Sequence, residues 1–137
     1  MALANNEIQI QWSSANSVSV SSGGNQTSDT FSFSQTVIDA MITLKADNAG
    51  TPASGDTVEF YLLATCGDPD GAGSDEFPLN NNDGILLAVL DTYANNPAIK
   101  TVACPIAKGG KLFAKNYSSG RAITVSACVN EKIVSSN

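Results

Sequence analysis

Apolar and polar side chains alternate with period two along most of this chain. Ile8, Ile10 and Trp12 alternate with Glu7, Gln9 and Gln11, and Val18 and Val20 alternate with serines. Phe31 and Phe33 alternate with Thr30, Ser32 and Ser34. Val58, Phe60, Leu62 and Ala64 fall in one set; Thr57, Glu59, Tyr61, Leu63 and Thr65 fall in the other. Ile123, Val125, Ala127 and Val129 alternate with Thr124, Ser126, Cys128 and Asn130. Successive side chains of a strand face opposite sides, so each run supplies a strand with one face for a core and one for water. Between the runs stand Ser21–Asn25, Asp47–Gly50, Ser54–Asp56, Gly67–Gly73, Asn80–Gly84 and Ser118–Gly120, rich in residues that tolerate positive φ or preset a turn. Such spacing predicts roughly eight to ten short strands, the pattern of a sandwich, barrel or jelly roll.

Two segments fit more than one period. In Thr36–Lys45, Val37, Ile38, Met41 and Leu44 have helical spacing, while Ile38, Ala40, Ile42 and Leu44 have strand spacing. Asp83–Tyr93 reads as a short helix capped by Asp83, or as a strand at Ile85–Leu90 buried on both faces. Both are taken as strands, because every neighbour is one. Lys108-Gly109-Gly110-Lys111 lacks the spacing of a phosphate loop and reads as a charged hairpin turn.

Composition narrows function by exclusion. The 137 residues contain no histidine, which removes Ser-His-Asp and Cys-His hydrolases and histidine-ligated zinc or haem. Seven cations and a net charge of −6 make a poor nucleic-acid binder. Residues 1–96 carry twelve acids and one base, residues 97–137 six bases and Glu131; these halves could meet complementary patches on copies or a partner, or remain solvated. Cys66, Cys104 and Cys128 form no CxxC pair and read as buried reduced thiols, with a single bridge as the alternative. The first residues lack a basic, apolar leader, and no run approaches the length that spans a bilayer, so the expectation is a chain made in the cytoplasm with no membrane partner.

Few residue clusters suggest chemistry. Asp68, Asp70, Asp75 and Glu76 lie on the Gly67–Glu76 loop, and carboxylate oxygens on a glycine-rich loop suit Ca²⁺. An EF-hand is excluded because its twelfth position would be Leu79. A solvated acidic turn is the first reading, an irregular calcium site the second. A carboxylate-pair glycosidase would draw on Glu7, Asp39, Asp56 or Glu59, none of which is marked as a pair. Trp12 and Tyr61 could stack on sugars, but Trp12 shares a face with Ile8 and Ile10 and reads as core.

Asp56–Thr65, the Asp68-Pro69-Asp70-Gly71 loop, Leu87–Thr92, Pro97–Val102 and Arg121–Ala127 follow one another in an order and style that resembles small β-sandwich or jelly-roll virion proteins of tailed bacteriophages. The resemblance spans roughly residues 30–130 and carries no catalytic motif. It implies a capsid decoration or cement protein on the virion exterior. The partners would be the major capsid protein lattice and copies of the chain itself, a trimer foremost.

The expectation is therefore an all-β, antiparallel jelly-roll-like sandwich of about eight strands in one domain at residues 7–131. Residues 1–6 and 132–137 would be arms that gain order on a neighbour, with Ala2, Leu3, Asn5, Asn6, Lys132, Ile133 and Val134 as interface candidates. No enzyme activity, cofactor or catalytic residue is expected. A carbohydrate- or receptor-binding module of a virion fibre is the alternative.

Overall fold

The structure, a computed structural model, describes residues 2–135. Its strands are β1 (Ala2–Gln9), β2 (Val18–Val20), β3 (Asn25–Thr27), β4 (Phe31–Ser32), β5 (Val37–Asn48), β6 (Thr57–Thr65), β7 (Ile85–Asp91), β8 (Ala98–Ala103), β9 (Gly109–Asn116) and β10 (Ile123–Ser135). All described pairings are antiparallel. Sheet one runs β1-β10-β5-β8, and sheet two runs β3-β9-β6-β7. The short β2 continues the lane of β1 along β10, and β4 continues the lane of β3 along β9. Ten segments thus occupy eight lanes. Numbered along the chain, the lanes read 1-8-3-6 and 2-7-4-5, a jelly roll.

Period two places the core between the sheets. Ala40, Ile42, Leu44 and Ala46 of β5 and Ile123, Val125, Ala127 and Val129 of β10 face Val58, Phe60 and Leu62 of β6 and Leu112 and Ala114 of β9. Ile10, Trp12, Val20, Phe31, Phe33 and Leu90 close the rim. Phe31 and Phe33 meet edge to face, with ring centroids 5.5 Å apart. Each large buried side chain contributes about 1.5–3 kcal/mol of burial.

Both segments of mixed period are strands, β5 and β7. β7 is not buried on both faces: it is a sheet edge, and only Leu90 is fully enclosed. A run of six apolar residues carries no local mark of whether another strand will flank it. Gly109 and Gly110 are not a hairpin turn but the first residues of β9. A Cβ on Gly109 would lie 2.5 Å from the Phe31 carbonyl oxygen, and one on Gly110 2.9 Å from Leu62 Cδ1. The pair lets three strands converge there.

The expected arms are largely paired strand. Ala2–Asn6 lies against Glu131–Ser135, with Leu3 opposite Val134 and Asn5 opposite Lys132. Backbone pairing, rather than apolar burial, orders these residues. Residues 1, 136 and 137 of the expected arms lie outside the described residues.

Candidate functional site

Four places could engage a partner or ligand. The first is the acidic loop. Carboxylate oxygens of Asp68, Asp70 and Glu76 lie within 4.8 Å of one another. The loop spends much of this charge on itself. Asp68 accepts the backbone N–H of Asp70 and Gly73, and Asp70 accepts that of Ala72 at 3.1 Å. The Gly73 amide, then the Asp70 side chain, hold the Asp68 carboxyl below the usual carboxylate range. Asp75 stands outside this cluster and pairs with Lys108 at 2.8 Å.

The second is a groove of about 560 Å³ on the outer face of sheet one. Strand register sets its lining in rows. Asn5, Lys132 and Asp39 form one row, Glu7, Asn130 and Met41 the next, and Cys128, Thr43 and Thr101 a third. Thr43 Oγ1 and Thr101 Oγ1 lie 2.7 Å apart, and the Cys128 thiol donates to Glu7 Oε1 at 3.1 Å. Burial, then Glu7, push that thiol up to about 11, so it is a poor nucleophile. The lining offers amides, carboxylates, hydroxyls and one ammonium, and no aromatic ring. Two of the interface candidates, Asn5 and Lys132, line it.

The third is an apolar lip where the free edges of the two sheets adjoin. β7 exposes Ile85, Leu86 and Val89, the turn after it Tyr93, and β8 exposes Ile99. Leu86 is 53 % exposed, Ile99 58 % and Tyr93 60 %. Lys100 Nζ crosses between the sheets to the Val89 carbonyl at 2.9 Å. The sequence announced the apolar residues but not their place at an edge.

The fourth is the end of the sandwich where β1 meets β10. Glu131 is fully buried. It accepts Asn6 Nδ2 at 2.8 Å, the Ser34 amide at 3.0 Å and the Ser34 hydroxyl. Burial pushes its carboxyl up, but the Ser34 hydroxyl, the Ser34 amide and Asn6 together hold it below the ordinary range. Glu131 follows Val125, Ala127 and Val129 at the same parity, so the alternation carried one step further would have placed it inward.

The remaining acids named from the sequence are dispersed. Buried Asp56 accepts Asn48 Nδ2 at 3.2 Å and lies 3.4 Å from Arg121 at the opposite end. Glu59 accepts the Tyr61 hydroxyl at 2.6 Å on the outer face of sheet two. Glu7 and Asp39 alone share a groove. The two ion pairs among the described residues, Lys108–Asp75 and Arg121–Asp56, join the basic half to the acidic half, so part of the split charge is met inside the chain. Trp12 is 3 % exposed and offers no stacking platform. Of the three cysteines, all free, only Cys104 is buried; Cys66 is exposed and Cys128 faces the groove, because it takes the outward parity of β10.

No protein-family model matches the chain, and no curated protein does. Solved structures do. The CBM22-1–GH10 modules of a Clostridium thermocellum xylanase 10B, complexed with xylohexaose, align over 98% of this chain and 27% of theirs, at 10% identity and a TM-score of 0.53. A family GH115 4-O-methyl-alpha-glucuronidase aligns at 14% identity and 0.46, with the chain spanning 16% of its length. The SPBc2 prophage-derived protein YomS aligns at 16% identity and 0.44, over 95% of this chain and 96% of its own. At these identities the likeness speaks to the fold alone.

Proposed function

We propose that this chain is a non-enzymatic virion structural protein that binds and stabilises an assembled capsid lattice, as a decoration or cement protein on the capsid exterior. The observation that carries this reading is the apolar lip. Free strand edges present unpaired backbone groups, and soluble monomers usually blunt them with charge or cover. Here the adjoining edges carry one such charge, Lys100, yet still expose Leu86 and Val89 on the side of sheet two and Ile99 on the side of sheet one. Exposed apolar side chains gathered along an edge are a common feature of protein-binding surfaces. On a lattice each contact can be weak, because many copies bind together. Copies of the chain itself, made in the host cytoplasm, are the second partner in this reading.

Co-sedimentation of the purified chain with expanded capsids from the same genome should be saturable. Leu86→Lys and Ile99→Lys should each weaken it by about tenfold or more. Absence of saturable binding to any capsid of that genome refutes the proposal.

The groove on sheet one favours a second reading, a carbohydrate-binding module. Its amides, carboxylates and hydroxyls could meet sugar hydroxyls, and the fold is shared with modules solved with xylohexaose. Titration with xylohexaose and other oligosaccharides, followed by amide shifts at Asn5, Asn130 and Thr43, decides it. Shifts confined to these residues support the second reading, and their absence removes it.

A further inference from the structure

We infer that β1 is an exchangeable strand: in an oligomer, residues 2–10 of one copy lie on β10 of another, with the Trp12–Ala15 turn as the hinge and Asp29 as its latch. This deepens the proposed adhesion between copies by naming the element they share.

The hinge carries the first observation. Trp12 and Ala15 pair with each other, the Trp12 amide donating to the Ala15 carbonyl at 2.7 Å and the Ala15 amide to the Trp12 carbonyl at 3.0 Å. The two residues between them, Ser13 and Ser14, have φ of 49° and 67°. Two positive φ angles at the centre of a two-residue turn call for Asn-Gly or a similar pair. Ser-Ser meets that demand poorly, since left-handed backbone is costly for a residue with a Cβ.

The latch is the second observation. Asp29 Oδ1 accepts the Ser13 amide at 3.1 Å, and Oδ2 accepts the Ser14 amide at 2.9 Å. One exposed carboxylate therefore holds both strained residues in place.

Strand geometry is the third. β1 and β2 run in one lane along β10, pairing with Gln9 opposite Cys128 and with Val20 opposite Ile123. The turn is a loop thrown out of that lane. Extending it keeps the direction of the chain and carries β1 beyond its own β10. Every β1–β10 contact, including the Asn6–Glu131 hydrogen bond, can re-form between copies, so the hinge alone decides the balance. Six of the eight side chains of β1 are exposed, so the strand itself carries little apolar burial, while Ile10 and Trp12, buried just beyond its end, must re-enter the matching rim of the other copy.

The test uses full-length chains whose three native cysteines are replaced. Copies bearing Leu3→Cys are mixed with copies bearing Val134→Cys, concentrated and oxidised. Leu3 and Val134 face each other across the two strands, so unlike copies cross-link where β1 has been exchanged. Asp29→Ala removes the latch and should raise both the oligomer fraction, read by light scattering, and the cross-link about tenfold or more. Ser13→Asn with Ser14→Gly locks the turn and should reduce both. Oligomers without the cross-link, or equal cross-linking in all three backgrounds, overturn the inference. If Asp29→Ala does not fold, the unlatched chain is replaced by the parent refolded at high concentration, and equality with the locked turn overturns it. Capsid binding by a chain that never exchanges leaves the proposed function standing.

Discussion

The two outer faces of the sandwich are built by the same alternation and end differently. Sheet two turns Tyr61, Leu63 and Phe113 outward, and the long connection between β6 and β7 folds toward them. Tyr61 and Phe113 meet edge to face at 6.3 Å, Lys111 Nζ stands 4.6 Å from the Phe77 ring, and Lys108, the residue before β9, pairs with Asp75. Gly84 approaches so closely that a Cβ there would lie 3.0 Å from Leu63 Cδ2. Leu63 and Phe113 are buried, though both stand outside the main core. Sheet one turns Asn5, Glu7, Thr43, Thr101 and Asn130 outward, and its groove stays open. On sheet two the outward Leu63 and Phe113 lie under a cover, whereas the mostly polar outward positions of sheet one leave its face free for a ligand. Leu63 lay in the water-facing set by sequence, and the cover is why it is buried.

The largest test of this contrast is Leu63→Ala. It should cost about 3 kcal/mol, as a truncated buried leucine does, and lower the melting temperature by about 10 °C. A change under about 0.5 kcal/mol would mean that the connection is no cover. Next is the buried acid that fastens β1 to sheet one. Glu131→Gln should cost about 1–2 kcal/mol at neutral pH, seen as an earlier denaturant midpoint. The folded carboxyl titrates below its unfolded value, so its contribution is fully present above the ordinary carboxylate range and is lost as pH falls through the folded value. The difference between parent and Glu131→Gln should accordingly shrink in acid, and a gap that widens there contradicts the assignment. Smaller again, Asp75→Ala should cost less than about 1 kcal/mol, because the Lys108 pair is exposed and screened by salt. Last, Asn130→Ala on the open face should move stability by less than about 0.5 kcal/mol, leaving any loss of ligand shifts to report binding alone.

Much of this architecture was legible. Val58, Phe60 and Leu62, like Val125, Ala127 and Val129, announced their strands and inward faces, because burial on one side imposes period two. The ends were misread because Ala2–Asn6 has no apolar alternation; its order comes from pairing with β10, a partner more than 120 residues away in sequence. The same long separation hid the β7 and β8 edges, since membership of an edge is a property of topology and not of a six-residue window. The groove was illegible for a related reason. Its rows combine residues of four strands, each of which alone looks like an ordinary solvated position. Glu131 was within reach by parity, and the acidic loop was found by composition, although Asp75 proved to serve Lys108.

β10 supports β1, β2 and β5 at once, and it is the last of the ten segments to be synthesised. A nascent chain therefore carries three waiting edges until residues 123–135 emerge from the ribosome. Closure of sheet one must be slow relative to local hairpins, since its ladders join sequence-distant partners. The interval before closure is when neighbouring copies on a polysome are most prone to tangle.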